Sequence, residues 1–578
     1  MSAATERETT PAANRRRLVV IGAGSSGLIS LQTACEQLPN WDICCYERTD
    51  RTTGVWGDPY AGFVSTSTKY TTQFSRFARF DGRPTGRHDF GEFFCNDEYG
   101  RYLDAFADAF HLRPHIHLRQ AVTSLAPADG GGWTLDLRDE TTGDERREHA
   151  DAVIVATGLA AESRAVASLP ADDPRLRSGR ELLKATELPR GRRLVVLGGG
   201  EFATDIAHRL ADPALGNSVW LSLRSGIRVS PRYHPIRGVP SDFLRNRLML
   251  SFHPALRNAI GEAFVRARIR FESTFARLFP GQQRRRATEP SDEAARRRYW
   301  GQRLRRAARG GLFDRFHNKA DDFLDDVAAG RLHIVGPPAD DRLTTFHPFG
   351  QNGQNGENGQ NGGAPPAIDP KLIEPKLIDP DLIVPALGYR SRLADLTGDA
   401  ITLADFHLGC VYAADPTLAA VGFARPILGN IPSISEMQAR YVCSVLAGAT
   451  AVPPNLPLHH AHERATHRQR FGELAGEAVY PVEMIPYCDR LATELGAMPR
   501  PMGSPLRRLR RWWDIQTTPA TTLDYNCFTT PGQAATTNQA SAANDDRPPA
   551  PRQMPLILIA AIAALRPLDW LVRWRSRD

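Results

Sequence analysis

Apolar and polar positions fall in blocks along this chain, and one block occurs twice. Residues 16–34 read RRLVVIGAGSSGLISLQTA and residues 192–210 read RRLVVLGGGEFATDIAHRL. Each opens with an apolar run of strand length, breaks at glycines and resumes with apolar residues at helical spacing. Each therefore predicts a strand, a tight turn and a helix. A second apolar run follows each helix, ICCYER at 43–48 and VWLSLR at 219–224. Between the two units the pattern predicts a helix over roughly 92–110, alternating strands through WTLDLRD at 133–139, and a further strand in DAVIVATG at 151–158. Beyond the second unit lies a long, arginine-rich, mostly helical stretch. NIPSISEMQARYVCSVLA at 430–447 has helical periodicity and opens on a candidate serine N-cap.

The second unit thus sits between two halves of something larger. The expected fold is α/β, with two dinucleotide-binding Rossmann-like domains, the second inserted into the first, and a C-terminal tail. The expected divisions are a disordered tail at 1–15, the first part of one dinucleotide domain at 16–165, and the other dinucleotide domain, with its arginine-rich insertion, at 166–345. A low-complexity loop follows at 346–366, then the rest of the first domain at 367–514, a linker at 515–553 and an apolar, basic tail at 554–578. The low-complexity loop includes QNGQNGENGQNGGAPP, which lacks the apolar groups that would repay ordering. The short repeat IDPKLIEPKLIDPDLI leads from it into VPALGY at 384–389, read as a buried strand.

The glycine turns carry the first chemistry. Gly22, Ala23, Gly24, Ser25, Ser26 and Gly27 fit GxGxxG between a strand and a helix. In that motif the first glycine makes the turn, the second lets backbone approach a pyrophosphate, and the third lets helix and strand pack closely. The helix N-terminus then offers unpaired N–H groups to phosphate. Glu47 stands 20 residues beyond Gly27, at the end of the second strand, where a carboxylate accepts the hydroxyls of an adenosine ribose. In the second unit Gly198, Gly199 and Gly200 lead to Ala203 in the third place, and the corresponding strand ends in Arg224 with no acid. A guanidinium there suits a ribose 2′-phosphate. One site therefore takes a dinucleotide with an unmodified ribose and the other takes NADPH, the arrangement of an FAD enzyme reduced by NADPH.

Composition narrows this modestly. With 24 % charged and 42 % hydrophobic residues among 578, the chain is neither fibrous nor wholly disordered. Its net charge of +7 is concentrated in arginines at 266–309 and 507–511. These read as solvated helix faces, and without a recognisable binding module no nucleic acid partner is expected. Eight cysteines form neither a CxxC pair nor a zinc spacing, which sets aside a disulfide reductase. No metal site is read, and a reduced, cytoplasmic location is expected. No secretory signal pattern opens the chain. In the tail, PLILIAAIAAL gives eleven apolar or proline residues, too few for the roughly 20 that span a bilayer. That segment suits either peripheral contact with the cytoplasmic side of a membrane or docking on the protein's own surface. Homo-oligomerisation is also a candidate.

The combined motifs resemble the flavin-containing monooxygenases, the class B group that includes Baeyer-Villiger monooxygenases and N-hydroxylases. The likeness covers roughly residues 16–530 and rests on VIGAGSSGL, YERTDRTTGVWGD, STSTKYTTQFSRF, DAVIVATG, LVVLGGGEFATDIA, ALGY and GNIPSISEMQARYVCSVLAG. It implies FAD contacts at Gly22 to Ser26, Glu47, Val55 and Trp56, and a loop beside the flavin formed by Ser65, Thr66 and Ser67. It further implies NADP contacts at Phe202, Ala203, Thr204 and Asp205, with Ser222 and Arg224 at the 2′-phosphate. Residues 429–435 would approach the flavin from the C-terminal part. The implied reaction is NADPH-dependent oxygenation of a soft nitrogen or sulfur centre through a C4a-hydroperoxyflavin, with Thr66 as the catalytic candidate. Ketone oxygenation of Baeyer-Villiger type, and an uncoupled NADPH oxidase or non-catalytic flavoprotein, are the alternatives. Three positions depart from the family pattern. Thr66 stands where asparagine is common, Leu183 takes the histidine place of FxGxxxHxxx(Y/W) with only Gly179 retained, and Ala386-Leu387-Gly388-Tyr389 replaces ATGY.

Overall fold

A computed structural model describes residues 15–575 except 161, 235–237, 271–290, 309, 351–375, 475–478, 500–503, 526–550 and 555. Leu18 and Val20 of strand β1 (Arg17–Ile21) enter one apolar cluster, and Val19 and Ile21 enter another. A strand with both faces covered is the requirement of a parallel sheet between helical or sheet layers, which is why β1 is apolar from Leu18 to Ile21. After helix α1 (Ser25–Gln37), strand β2 (Asp42–Tyr46) pairs parallel with β1 from Arg17↔Asp42 to Ile21↔Tyr46. Cys44 and Cys45 divide between the same two clusters, facing opposite ways as adjacent strand residues must.

Strand β3 (Ala152–Val155) flanks β1 on its other side, and the chain then leaves this sheet. It builds a second, four-stranded, all-parallel sheet from β4 (Arg193–Leu197), β5 (Ser218–Ser222), β6 (Leu332–Val335) and β7 (Leu382–Pro385), in the order β6-β5-β4-β7. Helix α2 (Glu201–Leu210) follows β4. The chain returns to the first sheet from residue 406 onward, and its strand β8 (Leu418–Ala420) pairs parallel with β3. Ile116–His117 and the hairpin Phe406–His407/Val411–Tyr412 complete its seven strands. Because strands of the first sheet come from both sides of the second, the NADP-type unit is inserted into the FAD-type unit, and the α/β expectation holds. The VPALGY strand belongs to the second sheet, so the return to the first comes after β7 and not at 367.

Helix α3 (Ile431–Leu446) lies against α1. Its N-cap is Asn430, whose side chain accepts from Ser433 N at 2.9 Å, in place of the serine expected. The helix expected over 92–110 covers Glu98–Ala109, because Phe93–Cys95 pairs as a strand with Val64–Thr68. WTLDLRD is the centre of a three-stranded antiparallel sheet, with Trp133, Leu135 and Leu137 buried on one face. In the arginine-rich region Pro254–Arg270 and Ser291–Ala307 are helical. The QNG loop and most of the linker lie outside the described residues.

At the C-terminus, Leu556–Ala564 docks on the protein itself. Ile559 and Ile562 are buried with Leu248, Phe252 and Leu256, and Asp569 accepts from His253 N at 2.6 Å. No described helix is long and apolar enough to cross a membrane.

Candidate functional site

Each glycine of the first turn can be tested by asking what a methyl group would strike. At Gly22, with φ +100°, an added Cβ would lie 2.9 Å from Ala156 O; at Gly27 it would lie 1.8 Å from Gly22 O. Both glycines are demanded by the protein's own packing. Gly24 differs: its nearest neighbour would be Gly54 Cα at 3.7 Å, so nothing in the chain requires glycine there. In the second unit Gly198 (φ +124°) would meet Ala386 O at 2.3 Å, whereas Gly200 would meet nothing within 4 Å. The bare second glycine of each motif opens outward, at the N-cap of a helix that has no side-chain cap. A pyrophosphate needs this combination of close backbone approach and unpaired N–H groups. The residues present therefore fit a dinucleotide at both turns.

Around the first turn, Ala23 is fully buried and its N–H donates to Glu47 Oε2 at 2.8 Å. Glu47 Oε1 accepts from Thr49 N and Oγ1 at 2.9 and 2.8 Å, which fixes the carboxylate beside the turn. Ser25 shares a 3.0 Å hydrogen bond with Tyr99 OH, and Ser26 one of 2.8 Å with Ser435 Oγ. Val55 is exposed and Trp56 half-buried, its ring edge-on to Tyr99 at 5.0 Å. Thr53 and Gly54 complete this wall: Thr53 N donates to Ala23 O at 2.8 Å. Both lie within the YERTDRTTGVWGD stretch, of which only Glu47, Val55 and Trp56 were singled out from the sequence.

The strand Val64–Thr68 joins the two units. Ser65 Oγ donates to Ser67 O at 2.7 Å, and Ser67 Oγ donates to Gly429 O at 3.2 Å, at the start of α3. From the opposite side Lys319 Nζ donates to Thr66 O at 2.8 Å, and Arg232 Nη2 to Val64 O at 3.2 Å. The half-buried Thr66 hydroxyl lies 3.4 Å from Glu201 Oε2, on the first residue of α2. Beneath it Lys319 pairs with Asp242 at 2.6 Å, and Asp242 also accepts from Thr68 N at 3.0 Å. Burial, reinforced by Arg245, pushes the Lys319 ammonium down to about 8. Burial opposes the Asp242 charge, yet Lys319 and Arg245 hold its carboxyl well below the usual range. Sequence reasoning missed Lys319 and Asp242, which lie 253 and 176 residues beyond Thr66 and belong to no motif.

At the second turn the strand register changes one assignment. Gly22 N donates to Tyr46 O and Gly198 N to Ser222 O, so Ser222 matches Tyr46 and the Glu47 position is held by Leu223. Arg224, exposed, lies one residue further along than expected. Leu223 is buried, so no carboxylate stands where it would repel a phosphate. The Ser222 hydroxyl is also buried and donates to Gly336 O at 2.8 Å, turned into the fold and not toward a phosphate. Thr204 is fully buried, bonded to Asn318 Nδ2 at 2.9 Å. Asp205 accepts from Tyr60 OH and from Arg209 Nε at 3.3 Å, holding α2 to the 60–62 loop. These three side chains serve packing and docking. Ala203 is fully buried and Phe202 half-buried, its ring lying where a Cβ on Gly179 would be 2.8 Å away. Gly179 is thus retained for packing, while Leu183 enters the core beneath β4.

Two dinucleotide folds joined through the strand Val64–Thr68 are the architecture of a two-nucleotide oxidoreductase of the flavoprotein type. The family model described as flavin-binding monooxygenase-like matches residues 15–280 and 407–555, and the chain belongs to this family. Its cofactors are accordingly FAD and NADPH. Among curated relatives, mouse dimethylaniline monooxygenase (N-oxide-forming) 4 is 30 % identical over 40 % of this chain and 42 % of its own length. Mouse flavin-containing monooxygenase 1 is 24 % identical over 84 % of each chain. A 4-hydroxybenzoate brominase (decarboxylating) from Marinomonas mediterranea is 22 % identical over 84 % of this chain and 85 % of its own. Among solved structures, closed cyclohexanone monooxygenase superposes with a TM-score of 0.52 at 16 % identity, covering 83 % of this chain and 97 % of that one. An NADP-bound steroid monooxygenase gives 0.51 at 16 % identity over 83 % and 97 %. At these identities the structural likeness speaks for the fold.

Proposed function

We propose that this flavoprotein monooxygenase uses NADPH and O2 to oxygenate a soft nucleophilic nitrogen or sulfur centre of a small molecule. Gly22 to Gly27 and the α1 N-terminus would hold the FAD pyrophosphate, Glu47 the adenosine ribose, and Val55 and Trp56 the adjoining wall. Gly198, Gly200, Phe202 and Ala203 would line the NADP pyrophosphate site, with Arg224 supplying the cation for the 2′-phosphate. FAD, when bound, supplies the oxygen-activating chemistry, so the chain's task is to position, polarise and exclude water. Ser65, Thr66 and Ser67 would form the wall shared by both nucleotides, with the Thr66 hydroxyl as the donor at the reacting end. The observation that carries this reading is that the strand bearing Thr66 is held from both units at once, by Gly429 on one side and Lys319 on the other.

The test is product-coupled NADPH consumption with tertiary amines, thioethers and ketones offered in parallel. One N-oxide or S-oxide per NADPH is expected. Lactone formed from ketones alone, or hydrogen peroxide with no oxygenated product, would refute the substrate class. Exposed Trp570, Leu571 and Trp574 on the outer face of the docked tail support peripheral membrane contact. Co-sedimentation with anionic vesicles, lost on truncation after 553, would test it.

A further inference from the structure

His407, His460 and Glu463 lie away from the motifs that carry both nucleotide sites and have no part in the reaction above. His407 ends the short strand Phe406–His407 at the edge of the first sheet. Helix α4 (Leu456–Phe471) packs on that strand and presents His460 and Glu463 on one face, three residues apart. His407 and Glu463 are more than nine-tenths buried, and His460 is nearly so. His407 Nδ1, His460 Nδ1 and Glu463 Oε2 are each buried without a hydrogen-bond partner. Three such orphans in one place are unusual, because buried polar atoms are ordinarily satisfied.

We infer that these three atoms form a site for a divalent first-row transition cation, with zinc the ion that its donor set suits. Two imidazole nitrogens and one carboxylate oxygen are a donor set that such cations favour. One ligand atom from each of the three residues lies within 4.8 Å of the other two, and His460 Nδ1 stands 4.0 Å from Glu463 Oε2. Bonds of about 2.0–2.1 Å in a tetrahedron place ligand atoms about 3.3 Å apart. Closure on the ion therefore needs shifts of at most about 1.5 Å, within reach of side-chain rotation on α4.

The surrounding groups are those of a second coordination layer. His460 Nε2 donates to Ala404 O at 3.0 Å, which fixes the tautomer that leaves Nδ1 with its lone pair. Tyr480 OH donates to Glu463 Oε1, which Arg490 Nη1 also approaches at 3.8 Å, while Oε2 faces His460 Nδ1 at 4.0 Å. His460 and Glu463 also line a cleft of about 920 Å³ rimmed by Arg164, Arg390, Arg464 and Arg468. Water or a small anion from this cleft would complete the coordination. The cation would pin the edge of the FAD-type sheet to α4.

The experiment uses the full-length, FAD-loaded protein, chelator-treated and dialysed, and titrated with Zn²⁺ against a chromophoric chelator. His460→Gln and Glu463→Gln are titrated alongside; His460 sits at the cleft and Glu463→Gln preserves shape, so flavin content reports that each is folded. One Zn²⁺ per chain with Kd below about 1 μM is expected, weakened more than about tenfold in each variant. Zinc should also raise the thermal midpoint of the parent chain and not that of the variants. Uptake of zinc equally by parent and variants, or no stoichiometric uptake by the parent, overturns the assignment. Neither result depends on what the flavin site oxygenates.

Discussion

Gly24 and Gly27 sit three residues apart in one turn, yet their substitution by alanine should fail in different ways. A methyl on Gly27 would lie 1.8 Å from Gly22 O, more than about 1 Å inside contact, and the obstacle is backbone. Helix α1 would have to move off β1, which places Gly27→Ala among the most damaging single changes, about 4 kcal/mol or more. A methyl on Gly24 meets nothing closer than 3.7 Å, at a φ of −75° that alanine adopts freely. Alanine is a poorer N-cap than glycine by up to about 1 kcal/mol, but it also restricts the unfolded chain by about 0.4–1 kcal/mol. The net stability change at Gly24 is therefore within about 1 kcal/mol, while its methyl occupies the space for the pyrophosphate. FAD affinity should fall at least tenfold, about 1.4 kcal/mol. Urea unfolding of the apoproteins and FAD titration by flavin-fluorescence quenching separate the two effects. If Gly24→Ala unfolds as readily as Gly27→Ala, or binds FAD as tightly as the parent, the division of the turn into packing and ligand glycines is wrong.

Other consequences are as direct. Arg224→Ala should cost NADPH about 1.5–3 kcal/mol of binding, the worth of charge-assisted hydrogen bonds, and leave NADH use nearly unchanged; equal losses in kcat/KM for both coenzymes would remove Arg224 from the 2′-phosphate. Lys319→Met removes one of the two cations on the buried Asp242 and leaves Arg245 at 2.7 Å, so it should destabilise the chain by about 1–3 kcal/mol; in a double-mutant cycle with Asp242→Asn the two losses should fall short of additivity by about 0.5–3 kcal/mol, and strict additivity would refute the pair. The hydrogen bond to Asp326, 2.5 Å away, raises the His208 pKa in the folded state. Its stabilisation is present in full below the unfolded value of about 6.5 and lost as pH rises through the folded value. The thermal-midpoint gap between the parent and His208→Gln should narrow from about pH 5.5 to about pH 8.5, and a gap independent of pH would refute it.

Local chemistry was legible in the sequence. A strand, a glycine turn and a helix within about 20 residues are dictated by neighbouring side chains and by φ angles that only glycine adopts, so both nucleotide turns, the buried strands and the insertion of one unit in the other could be read directly. Glu47 was legible for the same reason, since strand β2 ends one residue before it. Arg224 was misplaced by one position because register is a property of paired strands, and β5 is paired by contacts that no single strand displays. The tail offered a membrane surface and its own protein equally well; only the tertiary structure decided that Ile559 and Ile562 pack on Leu248, Phe252 and Leu256 while Trp570, Leu571 and Trp574 stay exposed. Thr66 with Lys319, and His407 with His460 and Glu463, were invisible for a deeper reason. Side chains 253 and 53 residues apart leave no spacing to recognise, and only the packing of loops and helices against the two sheets decides that they meet.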